Sequence, residues 1–112
     1  MRRALLLGLF ASGLLAARQG KDLFERRCSG CHALDRDKEG PRLSGIYGRK
    51  AGSVGLFPYS DALKNAGFVW DAEALLKWLA DPDKLVPGNN MPFRVPDTAE
   101  RSAIVEYLKQ LR

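Results

Sequence analysis

The chain opens with Met1-Arg2-Arg3 and an apolar run from Ala4 to Ala17, before polar residues take over at Arg18 and Gln19. The run is about 14 residues long, short of the ~20 that span a bilayer and typical of the apolar core of a secretory leader. Ala16 and Ala17 place small residues at the boundary, although no A-x-A triplet stands there. The pattern predicts a signal peptide over 1–17 and a domain over 18–112. The alternative is an uncleaved membrane anchor through residues 4–17.

Beyond the boundary the periodicity is helical. Gly20, Phe24 and Cys28 recur every four residues and share one face, which predicts a helix over Gly20–Arg27. Asp35 to Gly55 reads as loop, with glycine at 40, 45, 48, 52 and 55 and Pro41 among them. Such a stretch turns tightly or passes close against something bulky. Ser60 suits the cap of a short helix through Asn65, ended by Gly67. Asp71 suits the cap of another, with Leu75, Leu76 and Leu79 at helical spacing and Pro82 stopping it. Pro82, Pro87, Pro92 and Pro96 predict an extended or turning loop. Asp97 with Glu100 three residues later is a capping-box pattern opening the last helix. Ile104, Leu108 and Leu111 form its apolar stripe, with Tyr107 beside it. No strand pair stands out. The fold class is all-α, about four to five helices joined by long loops.

At 112 residues there is room for one domain. The formal charge is +5, falling to about +3 if Arg2 and Arg3 leave with a leader. That balance suits an acidic protein surface or anionic lipid and is too small for nucleic acid. A small domain often needs a staple, but two cysteines three positions apart close too short a loop to provide one as a disulfide. Something else must fill the core.

Cys28-Ser29-Gly30-Cys31-His32 is the haem-attachment pattern of c-type haem proteins. Two thiols three residues apart at a helix end can each add to one vinyl group on the same porphyrin edge. His32 then projects over the iron as proximal ligand. Two other readings compete. A thiol–disulfide oxidoreductase would place its C-x-x-C after a strand in a βαβ unit, and no such pattern surrounds this one. A zinc site would need a fourth ligand that no second C-x-x-C or histidine supplies.

His32 is the only histidine, so bis-histidine ligation within one molecule is excluded. Of two methionines, Met1 is terminal, which leaves Met91 in the loop Pro87-Gly88-Asn89-Asn90-Met91-Pro92. A lone methionine is ordinarily core filler. In a proline-bounded loop, in a chain with a haem and no second histidine, it is the simplest distal ligand.

From Gly20 to Leu111 the chain resembles the class I c-type cytochromes, the group of mitochondrial cytochrome c and its soluble bacterial counterparts. The resemblance rests on Gly20 and Phe24, the Cys28–His32 motif, Gly40-Pro41, Gly48-Arg49-Lys50, Tyr59-Ser60-Asp61-Ala62, Trp70, Pro87-Gly88-x-x-Met91 and Tyr107-Leu108, in that order. It implies the small cytochrome c fold wrapped around one covalent haem c. The Pro41 carbonyl would take the His32 ring N–H, and Arg49, Tyr59 and Trp70 would hydrogen-bond the buried haem propionates. Read without it, Arg49 is a solvated loop charge and Trp70 plain core. Gly20 and Phe24 would meet the last helix near Ile104 and Tyr107.

Two departures stand out. Trp78 occupies the position of a tyrosine whose hydroxyl reaches the methionine sulfur in many members, so whether an indole reaches as far is open. Asn90 replaces a lysine of the mitochondrial proteins, and Asp81 and Asp83 lie in the same stretch, which dilutes a positive ring around the haem edge. The resemblance implies a single-electron carrier, not an enzyme. It would be monomeric and periplasmic, without a small-molecule substrate or nucleic acid. Its partners would be redox proteins: a membrane oxidase, a cytochrome bc-type complex or an exported dehydrogenase. A haem subunit of an exported oxidoreductase would share every one of these motifs. A haem enzyme or gas sensor would instead need Met91 to leave the iron.

Overall fold

The amino-terminal apolar run and the Gly20 periodicity fuse into one helix. The computed structural model describes the backbone of residues 2–112 and side chains from Leu15 onward. Among these, five helices follow in order: α1 (Arg2–Arg27), α2 (Asp61–Lys64), α3 (Ala72–Ala80), α4 (Pro82–Leu85) and α5 (Thr98–Gln110). The helix expected from Gly20 thus starts far earlier, because the alanine and leucine of residues 4–17 are strong helix formers. The expected leader (1–17) and the alternative anchor (4–17) fall largely on residues whose side chains lie outside the described set. Among the described residues no helix is long and apolar enough to cross a membrane.

The caps follow the sequence closely. Ser60 accepts from the Leu63 N–H, Asp71 from Ala74 and Asp97 from Glu100. The expected capping box is only half made. The Glu100 carboxylate turns to Arg27 at the end of α1, 2.9 Å away. The proline-rich stretch also holds a helix that the pattern did not predict. Asp81 closes α3 and caps α4 through Lys84, and Pro82 sits in the first turn of α4, where a missing N–H costs nothing. No strand is present among the described residues, but Lys50 and Val69 form an isolated antiparallel bridge. Gly48 donates to Trp70 O at 2.7 Å and Trp70 to Arg49 O at 2.8 Å, which fastens the glycine-rich loop to the chain entering α3.

The core lies where α1, α3 and α5 converge. Leu23 and Phe24 of α1, Leu75, Trp78 and Leu79 of α3, and Ile104, Val105 and Leu108 of α5 are all buried. Each such aliphatic side chain contributes roughly 1.5–3 kcal/mol of burial. The crossing of α1 and α5 is close. A Cβ on Gly20 would run into the Ala103 carbonyl and come within 2.8 Å of Tyr107 Cβ. One residue pair further along, the Phe24 and Tyr107 rings meet with centroids 5.6 Å apart. Both contacts match the expectation for Gly20 and Phe24.

Because the atoms opposite Gly20 are mostly backbone, they have nowhere to yield. Gly20→Ala should therefore destabilise the protein by about 2 kcal/mol, the cost of overpacking a tight interface. Denaturant titration of both proteins measures it, and equal midpoints would contradict this account of the crossing.

Candidate cofactor site

The chain does not leave α1 abruptly. Cys28 N–H and Ser29 N–H both donate to Phe24 O, and Cys31 and His32 both donate to Cys28 O, at 3.2 and 2.9 Å. The motif is thus wound as one more helical turn, with Cys28 and Cys31 three apart and on neighbouring faces. The following loop doubles back to support it. Gly40 N–H donates to Cys31 O, and Lys38 Nζ to Ser29 O, each at 2.8 Å.

His32 is fixed from two sides. Its Nδ1 lies 2.8 Å from the Pro41 carbonyl, which can only accept, so Nδ1 carries the proton and Nε2 keeps its lone pair. Burial lowers the pKa of this imidazole, which favours the neutral form that a metal ligand needs. Gly40 packs against the ring face, where an added Cβ would lie 2.6 Å from Nδ1.

Neither thiol has the lowered pKa that redox exchange needs. Burial pushes Cys28 up to about 11. Exposed Cys31 is raised chiefly by donating to the Glu39 carboxylate at 3.4 Å. Thiol–disulfide chemistry needs the opposite shift. Nor does any group of three or more His, Cys, Asp or Glu side chains among the described residues assemble to hold a metal ion, as a zinc site would require.

A second group of candidate residues gathers on α3 and the loop after α4. Trp78 is buried, and its Nε1–H donates to Met91 Sδ at 3.1 Å. The indole thus reaches the sulfur that the sequence left in question. Trp78 stacks edge-on to Trp70 (5.3 Å between centroids), and Trp70 edge-on to Phe68 (4.9 Å). Arg49 is half-buried, and desolvation lowers its pKa, yet its hydrogen bonds go only to the carbonyls of Ser44 and Arg42. Tyr59 is close enough to Arg49 to feel its charge, and its hydroxyl accepts from Val54 N–H at 3.0 Å. One contributor has no signal in the sequence. The Asn89 side chain takes the Met91 N–H at 2.7 Å.

The cytochrome c family model matches residues 17–112. The chain belongs to the cytochrome c family. Among curated relatives, cytochrome c2 iso-2 of Magnetospirillum molischianum is 43% identical over 90 residues, covering 76% of this chain and 91% of that protein. Cytochrome c of Euglena viridis is 42% identical over 99 residues, covering 86% and 97%. Among solved structures, cytochrome cH from Methylobacterium extorquens superposes with a TM-score of 0.79 at 41% identity, covering 83% of this chain and 96% of that one. As a cytochrome c, this chain is an electron carrier and not an enzyme, and it carries one covalently attached haem c with its iron.

The residues fit that group. Two protonated thiols stand a helical turn apart, one imidazole has its Nε2 free, and a thioether is held by a single donor. Half-buried Arg49 meets no carboxylate among the described residues, so a haem carboxylate would relieve its desolvation.

The ring contact at Gly40 is open to test. Gly40→Ala forces the His32 ring to turn or the loop to back away, which lengthens the Pro41 bond. The cytochrome should lose roughly 1–3 kcal/mol of stability. In NMR spectra the ring N–H of His32 should exchange faster with water. An unchanged exchange rate would show that the ring does not rest on this glycine.

Proposed function

We propose that this cytochrome is a single-electron shuttle in which Cys28 and Cys31 hold the haem as thioethers and His32 and Met91 ligate its iron. The observation that carries the reading is the matched preparation of the two ligands. Each is fixed by one hydrogen bond, Nδ1 to Pro41 O and Trp78 Nε1 to Met91 Sδ, and each keeps a donor lone pair. His32 is the only histidine, and Met91 is the only methionine beyond Met1.

Bound haem supplies an iron centre that cycles between the ferrous and ferric states. The chain tunes and shields it. The soft thioether of Met91 favours the ferrous state, which raises the potential relative to bis-histidine haems. Trp78 draws electron density from the same sulfur and acts in the same direction. Pro41 orients His32 and makes its ring more basic. Arg49, Tyr59 and Trp70 would hydrogen-bond the propionates of a bound haem. With His32 and Met91 both held for the iron, the chain would leave no coordination site for a substrate.

Arg2-Arg3 ahead of the apolar run supports export, which puts the shuttle in the periplasm among membrane-bound or exported redox partners. The docking face is nearly neutral around the Met91 loop. Arg94 pairs with Asp81 at 3.0 Å and lies 3.9 Å from Asp83, and Arg27 is taken by Glu100. Lys50 and Lys84 remain as cations near the haem edge.

Ligation is tested on the ferric protein through its weak near-infrared sulfur-to-iron band. Met91→Ala should abolish the band and lower the potential, and Trp78→Phe should keep the band and lower the potential less. A band that survives Met91→Ala would show that another group is the sixth ligand.

Docking is tested by stopped-flow reduction with the isolated native donor across ionic strength. Screening shortens to about 8 Å at physiological salt, and with few unpaired charges there is little attraction to screen. The rate should fall only modestly. A drop of about a hundredfold or more, as strongly steered pairs show, would contradict this surface.

A further inference from the structure

Met91 sits in the segment between Val86 and Val95, whose ends are firmly held. Val86 and Val95 are buried, and Val95 N–H donates to Leu79 O of α3 at 2.8 Å. Inside the segment the methionine is gripped at three atoms. Its sulfur takes the Trp78 N–H, its carbonyl takes the Phe93 N–H at 2.9 Å, and its own N–H goes to Asn89 Oδ1 at 2.7 Å.

The third grip belongs to a longer chain of contacts. Asn89 Nδ2 donates to Asp83 Oδ1 at 3.1 Å and to Val86 O at 2.9 Å. Both of these acceptors can only accept, and the Met91 N–H can only donate. The amide therefore has one allowed orientation and uses both ends. Asp83 belongs to α4 and also faces Arg94, which pairs with Asp81 at the junction of α3 and α4. The amide thus ties the backbone of Met91 to α4 through Asp83 as well as to the start of the segment at Val86.

Resting on the assignment of Met91 as iron ligand, we propose that Asn89 is a positioning residue that latches this loop to α4 and sets how slowly Met91 leaves the iron. Trp78 acts on the sulfur alone, through a rotatable side chain. The backbone must move before an outside ligand gains access, and Asn89 holds the backbone.

The test uses the ferric holoprotein with imidazole as probe. At saturating imidazole the binding rate reaches a ceiling equal to the rate at which Met91 dissociates. In Asn89→Ala the ceiling should rise about tenfold, the order expected when a net hydrogen bond is lost. The resting near-infrared sulfur band should persist, because the sulfur still meets Trp78. Asp97→Ala, which removes the α5 cap and touches none of the Asn89 contacts, serves as control. It should lower resistance to denaturant and leave the ceiling unchanged. If Asn89→Ala does not accumulate as folded protein, Asn89→Asp replaces it. That variant keeps an acceptor for Met91 but loses both anchoring donors, and its ceiling should rise too. A ceiling within about twofold of wild type, less than one net hydrogen bond is worth, would overturn the proposal. So would an equal rise in Asp97→Ala. A wild-type ferric protein without the sulfur band would overturn the Met91 assignment itself, and the latch with it.

Discussion

Where α1 crosses α5, the Gly20 backbone rests against the Ala103 carbonyl, and Phe24 meets Tyr107 one turn later. These contacts fix the height and angle of α1, and the turn that follows it carries Cys28, Cys31 and His32. The loop back to Gly40 and Pro41 can brace the imidazole only if that turn is already in place. A helix standing further off would carry the whole attachment motif away from α3 and from Met91. The crossing is therefore the contact on which the site depends, although none of its residues touches the iron.

The two walls of the site solve one problem in different ways. On one side His32, the proposed proximal ligand, follows a helix end, and a short loop presses on it. On the other side Met91, the proposed second ligand, lies in a proline-bounded segment without helical hydrogen bonds, so much of its rigidity comes from side chains. Trp78 supplies a donor to the sulfur, and the Asn89 amide ties the backbone to α4. An electron carrier benefits from ligands that barely shift between oxidation states. The ion pairs around Arg94 belong to the same loop, so the contacts that neutralise the surface also brace it. Each exposed pair adds little stability by itself.

Parts of the architecture were not legible along the chain. Asp81-Pro82 looks like the end of a helix and is also the start of one, because Asp81 faces both ways. Glu100 reads as the return half of a capping box but pairs with Arg27, 73 residues earlier, once α1 arrives beside it. The Lys50–Val69 bridge has no alternating pattern behind it and forms because the glycine-rich loop is folded against the entry to α3. For Glu100 and for the Lys50–Val69 bridge, the partner came from a neighbour distant in sequence.

Local chemistry, by contrast, was readable from the sequence alone. The caps at Ser60, Asp71 and Asp97, the all-α class, and the C-x-x-C-H attachment motif depend on residues a few positions apart. The single histidine left one proximal candidate by counting. Only the tertiary structure decided whether the Trp78 indole reaches Met91, whether the Met91 loop is tied down, and which surface cations stay unpaired. Those outcomes rest on distances of about 3 Å between side chains from separate elements, and hydrogen bonds and ion pairs vanish within an ångström or two of misplacement. Sequence spacing sets what one turn of helix can present. The packing of α5 against α1 and α3 sets what it meets.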